Sequence, residues 1–134
     1  MHRQLSLFAL LAFFCTTTLA QAALPAIEEI KSPKVKRMIF KDAKRNKPIK
    51  ITSAKDAEKY LQGETMKQLK KVDFEKQTVL IFAWRGSGGD KLNYVVAESF
   101  PEQITFSIKR GLTKDLRPHV RVFVLRSNVK WRVR

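Results

Sequence analysis

Thiol chemistry is almost absent from this chain. Of its 134 residues only Cys15 is a cysteine. One thiol cannot close an intramolecular disulfide, so the stapled mini-protein class is excluded. Histidine is nearly as scarce, with His2 and His119 alone. A zinc site draws on three or four such ligands. No metal site and no cofactor are therefore expected. Glycine and proline number five each, which excludes collagen-like and low-complexity classes. No apolar run approaches the ~20 residues that cross a bilayer as a helix, so the chain is not read as membrane-spanning. Acidic residues are few, 12 Asp and Glu against 27 Lys and Arg, for a net charge of +15.

What is present begins with an export signal. Met1-His2-Arg3 is a short basic start, and Leu5 to Phe14 is an apolar core about half the length of a membrane span. Ala20-Gln21-Ala22 supplies the small residues a signal peptidase accepts at its cleavage site. The pattern predicts a signal peptide over residues 1–22, cleavage after Ala22, and a periplasmic or extracellular protein. Phe13 and Phe14 stand before Cys15 where a lipoprotein signal carries small residues, which sets that alternative aside. Cleavage removes Cys15 and His2. The mature chain then has no thiolate nucleophile and a single histidine.

Charge is concentrated at two places. Residues 31–50 hold nine basic side chains against Asp42, and residues 109–134 hold nine against Asp115. The stretch between them is balanced. Such an excess attracts polyanions. For an exported protein these are acidic envelope polymers or lipid headgroups, and no nucleic acid is expected. The plainer reading is that the charge only keeps a small exported domain in solution.

Hydrophobic residues make up 44% of the chain, enough for one folded domain, expected over residues 35–134. Residues 23–34, with Pro25 and Pro33, read as a tether or loosely packed arm. Val35 to Lys41 reads as a strand, and Ile49 to Thr52 as a short one. Ser53 with Asp56 three residues later reads as a helix N-cap. Ala54, Ala57, Tyr60 and Leu61 come next at helical spacing, and Gly63 closes the run. Thr78 to Trp84 is an unbroken β-prone apolar stretch, as expected of a central strand buried on both faces. Leu92–Ala97, Gln103–Lys109, His119–Arg126 and Val129–Val133 read as further strands. The fold class predicted is α+β: an antiparallel sheet, with a meander of four C-terminal strands plus one or two N-terminal strands, and one helical stretch packed on a face.

Two loops carry the candidate chemistry. Arg85, Gly86, Ser87, Gly88, Gly89 and Asp90 form a glycine-rich segment. A phosphate loop would need a helix after it, and here a strand comes next. The first reading is a hairpin turn, and the second a recognition loop held between strands. Lys114 to His119 is the other segment, with Asp115, Arg117 and His119; turn chemistry is the plain alternative. Ser87, His119 and Asp115 or Asp90 could in principle compose a hydrolase triad, which geometry alone decides. The flanking pattern of a nucleophile elbow is missing. Trp84 and Trp131 read first as core residues. Lys44, Arg45, Lys47, Lys130 and Arg132 are the candidate anion-binding set.

From Val72 to Val133 the chain resembles a family of short exported bacterial proteins of unknown function. The residues that carry this are Val72-Asp73-Phe74, Phe82 to Leu92 and Thr113 to Val120. More distantly, Asp73-Phe74, the apolar strand after it and Gly88-Gly89 are similar to the C-terminal domain of a non-catalytic subunit that stabilises a bacterial chymotrypsin-like protease complex. That likeness implies a β-rich module that binds a protein, a protease among the candidates. Gly88-Gly89 and Arg117-Pro118 also match in kind the loops of chagasin-type protease inhibitors, whose Asn-Pro-Thr-Thr-Gly loop is absent here. The function expected is a non-enzymatic protein-interaction module of the bacterial envelope, binding through loops 85–91 and 113–119. The alternative is an electrostatic binder working through segments 31–50 and 109–134, and a remote third reading is a small Ser/His/Asp hydrolase.

Overall fold

The computed structural model describes residues 23–134, so the expected signal segment and its cleavage site lie outside the described residues. The chain is mostly antiparallel strand with short helices, in the broad α+β class. Its elements in order are β1 (Ile27–Ile30), α1 (Ile39–Asp42), β2 (Ile49–Ile51), α2 (Ala54–Tyr60) and α3 (Glu64–Leu69). After these come β3 (Gln77–Gly86), β4 (Lys91–Ala97), β5 (Gln103–Lys109), β6 (Arg117–Arg126) and β7 (Lys130–Val133).

The strands make two sheets. One runs β1-β6-β3-β2 and the other β4-β5-β7. The first is antiparallel throughout. In the second, β4 and β5 form an antiparallel pair, while β7 lies parallel to β5. The expected four-strand meander is therefore corrected. β3 pairs with β6, in register from Gln77↔Arg126 to Gly86↔Arg117, and not with β4. The cause is legible in β3, which is apolar on both faces and needs a cover on each. After β3 the chain leaves the sheet, folds β4 and β5 over one face, and returns as β6.

Alternation along β3 and β6 divides the core in two. Leu80, Phe82, Trp84, Phe123 and Leu125 face the small sheet and meet Leu92, Ile104, Phe106 and Val129. Val79, Ile81, Ala83, Val122 and Val124 face the other way, onto Ile39, Ala57, Tyr60, Leu61 and Leu69. The result is three layers: short helices, a four-stranded sheet, a three-stranded sheet. Two cores share one pair of central strands.

Three further expectations change. Val35–Lys41 is not a strand: Val35 makes one isolated bridge to Leu61, and Ile39–Asp42 is a helical turn. Ile39 is the residue this turn drives into the core. Ile27–Ile30, expected in a loose arm, is a strand paired with β6. Glu29 of β1 is held by Arg121 of β6, whose Nη2 donates to Oε2 at 2.7 Å. The helical stretch forms as α2 and α3, its second turn expected over Met66, Leu69 and Val72, and α1 is the unexpected third helix on that sheet face. The Ser53 cap forms as expected, accepting the Asp56 N–H at 3.1 Å.

Among the described residues no helix is long and apolar enough to cross a membrane.

Candidate functional site

The glycine-rich segment is a corner between sheets, which corrects the hairpin reading. β3 ends at Gly86 in one sheet and β4 starts at Lys91 in the other. The loop after β5 meets this corner. Gly111 donates its N–H to Asp90 Oδ1 at 2.8 Å, and Gly88 donates its own to Asp115 Oδ1 at 2.9 Å. Thr113 and Ser87 join their hydroxyls at 2.6 Å. The two loops that sequence singled out separately are one structure. Two carboxylates each tie one loop to the other's backbone.

Asp90 is the anchor. Its side chain has no exposed surface. Besides the Gly111 N–H it accepts from Trp84 Nε1 at 3.0 Å. A buried carboxylate without such donors would be costly. The Gly111 N–H, then the Trp84 N–H and the positive charge of Arg45, hold its carboxyl below the usual Asp range against the opposing effect of burial. Asp115 is held lower still, at about 2, by the Thr113 hydroxyl first, then the Gly88 N–H and Arg117. Both carboxylates are thus ionised at neutral pH, and their oxygens already serve loop donors.

Close approach makes glycine necessary at position 111. A Cβ there would stand 2.5 Å from the Gly89 carbonyl carbon and 2.5 Å from Ser87 Oγ.

His119 sits opposite Trp84 in the β3–β6 register and stacks on it, rings 4.8 Å apart and 12° from parallel. Its Nε2 lies 2.8 Å from the Ser87 carbonyl oxygen. A carbonyl only accepts, so Nε2 carries the proton and points away from hydrolase work on Ser87 Oγ. That hydroxyl instead meets Thr113 and accepts the Gly89 N–H at 3.2 Å. Asp115 pairs with Arg117, and Asp90 with Trp84 and Gly111. Ser87, His119 and either aspartate are neighbours without the linked hydrogen bonds of a triad.

Cations ring the joined loops. A cleft of about 230 Å³ is lined by Arg45, Arg85, Arg110 and Lys114, with Ser87, Thr113, Leu116, Asp90 and Asp115 also in its wall. Arg45 arrives from the turn before β2, its Nη2 3.5 Å from Asp90 Oδ2 and 3.5 Å from the Arg85 carbonyl. Arg85 lays its guanidinium over Phe40, 5.1 Å from the ring centre. Lys44 and Lys47 face each other across the same turn. Lys130 and Arg132 do not join this site. They lie on β7, beside Gln103 and Thr105 of β5, whereas the joined loop leaves the far end of β5. Trp131 packs partly against the small-sheet core. The anion-binding set is therefore split, with only Arg45 brought to the loops.

Sequence reading missed part of the tip. Leu112 is 100% exposed and Leu116 is 70% exposed. Two leucines in a polar loop, outside any strand period, were the available signal. A second cleft, of about 720 Å³, lies between β1 and α3 and involves none of the candidate residues. It mixes Glu28, Glu29 and Glu64 with Lys31 and Lys71, which favours no one ligand chemistry. No group of three or more His, Cys, Asp or Glu able to hold a metal occurs among the described residues.

The chain matches no protein-family model, no curated protein and no solved structure.

Proposed function

We propose that this protein is an exported, non-enzymatic protein-interaction module of the bacterial envelope, binding through the joined loops 85–91 and 110–119. One observation carries the reading. Leu112 and Leu116 stand in water on a loop fixed at both ends of its contact with the 85–91 corner. Apolar side chains on a loop whose backbone is already tied down are what a protein partner can bury with little backbone ordering. The Asp90 anchor supports it further, since a fully desolvated carboxylate spent on loop geometry fixes the shape of that tip. The signal-like start of the sequence supports the envelope location.

The test is affinity capture from an envelope extract with immobilised protein, at low and high salt. One stoichiometric protein that survives high salt, and is lost with Leu112→Asp and Leu116→Asp, supports the module. A heterogeneous anionic set lost at high salt would sink it. That outcome favours instead the electrostatic binder of envelope polymers, a reading supported by the convergence of Arg45, Arg85, Arg110 and Lys114.

A further inference from the structure

Arg45 is under-used. A guanidinium carries five N–H donors, yet the two acceptors that Arg45 reaches both stand at 3.5 Å. The nearer demands on Asp90 are the Trp84 and Gly111 N–H groups, at 3.0 and 2.8 Å. Arg45 Nε is buried and meets no acceptor. Buried polar groups are as a rule hydrogen-bonded, so this guanidinium has donor capacity that the protein does not use. The side chain is still 31% exposed, so it can be reached from the cleft.

Its neighbours carry charge that no carboxylate among the described residues takes up, with Arg85 resting on the Phe40 ring. Among the described residues, no carboxylate lies within 4.0 Å of the charged groups of Arg85, Arg110 or Lys114, whereas Arg117 is paired with Asp115. Unpaired cations therefore share one concavity with Arg45, and Leu116 lines its side. We infer that this cleft binds a side-chain carboxylate of an acidic polypeptide partner, with Leu112 and Leu116 packing on apolar surface beside it. The inference rests on the protein-interaction reading and names the partner's chemistry.

A carboxylate fits because its two oxygens match the fork of an arginine, with shorter and stronger bonds than neutral pairs. An acetate or phosphate ion would fill the cations but leave both leucines in water. A lipid surface fits less well. Asp115 keeps about a third of its side chain exposed at the cleft, where a continuous anionic layer would meet it. A polypeptide can place one acidic group in the cleft and leave Asp115 unopposed.

The test uses the purified, 15N-labelled protein at about 0.15 M salt, where charges are screened over roughly 8 Å. The probes are blocked tetraglutamate, blocked tetraglutamine, inorganic phosphate, and vesicles of phosphatidylglycerol. Tetraglutamate is expected to shift the amides of Arg45, Gly86–Gly89 and Gly111–Lys114, and tetraglutamine to leave them in place. Arg110→Gln with Lys114→Gln should weaken tetraglutamate about tenfold, on the scale of losing charge-assisted bonds. These two side chains hold no carboxylate, so the variant keeps its fold. Arg45→Gln should weaken it similarly. Lys130→Gln with Arg132→Gln, equal in charge removed, should change it less than about twofold, since screened charges at a distance contribute little.

Equal losses in both double variants, or shifts spread along β7, would overturn the site. So would vesicles or phosphate binding at the cleft while tetraglutamate does not. These results separate from the capture experiment. A captured partner that tolerates Arg110→Gln with Lys114→Gln leaves the module standing and removes the carboxylate site. Tetraglutamate binding without any captured partner does the reverse.

Discussion

Gly111 donates its backbone N–H to Asp90, twenty-one residues earlier, at 2.8 Å. That bond joins the loop leaving β5 to the corner leaving β3, and it makes the candidate site one body. The same carboxylate takes the Trp84 indole N–H on its other oxygen. Asp90→Asn keeps one acceptor and turns an amide NH2 against the second donor. The expected outcome is loss of one of the two bonds, with exchange of the Gly111 amide faster by about tenfold or more, as for a locally opened loop. Hydrogen exchange read by NMR measures it directly. Unchanged Gly111 protection would mean that Asp90 is not the anchor.

Gly111→Ala probes the same junction sterically. The added Cβ meets Gly89 backbone and Ser87 Oγ at 2.5 Å, and backbone cannot swing aside as a long side chain can. Overpacking of this kind costs about 1–3 kcal/mol. Gly63 is the comparison, with open space around it but φ at +58°. Gly63→Ala should cost about 1–3 kcal/mol through backbone strain alone, because φ +58° with ψ −131° is a region that a Cβ disfavours. Both lower the urea midpoint. Only Gly111→Ala should also move the Trp84 fluorescence, because only it disturbs the Asp90 pocket.

Much of the fold was legible locally. Ser53 and Asp56 specified a helix start that forms as read, and Gln103–Lys109 alternates as its pattern requires. Strand partnership was not legible. An apolar stretch such as Thr78–Trp84 states that both faces are covered, and nothing in it states by which elements. Ile27-Glu28-Glu29-Ile30 reads as a poor strand because its two acids argue against pairing. It pairs with β6 over four residues, Ile30 enters the core, and Arg121, 92 residues later, takes up the Glu29 charge. The site shows the same division. Both loops were identifiable from glycine, aspartate and arginine content. Their union depends on contacts 21 to 27 residues apart, and Arg45 comes from 45 residues away. No local pattern encodes such distances.

The link between Gly88 and Asp115 depends on pH in a definite direction. The Thr113 hydroxyl, the Gly88 N–H and Arg117 favour the charged carboxylate and hold it at about 2, from an ordinary value of 3.8. A depressed carboxyl contributes stability that is fully present above the unfolded value and disappears as pH falls through the folded one. The contribution should therefore be constant above about pH 4 and fade between pH 3.8 and about 2. The Gly88 amide shift should titrate with a midpoint near 2, and Asp115→Asn should abolish that step. A midpoint at the ordinary value would mean that the loops do not hold this carboxylate.

Phe123 couples the site to the core beneath it. Its ring lies 5.9 Å from Phe82 of β3, 5.3 Å from Phe106 of β5 and 5.5 Å from Tyr94 of β4. One site loop leaves β3 and the other leaves β5, so a single ring on β6 touches the strands that carry both. Phe123→Ala should cost about 3–5 kcal/mol by removing buried area and leaving a cavity. The denaturant midpoint should fall with little change in slope, because the same surface is exposed on unfolding. Ile39→Ala is the matched control. It empties a fully buried position in the helix-side core and should cost about 2–5 kcal/mol. With both variants still folded, exchange of the Gly111 amide should accelerate more for Phe123→Ala, because only that change loosens one sheet against the other. Equal acceleration would mean that the loops are held by their own hydrogen bonds, with the packing below contributing nothing specific to them.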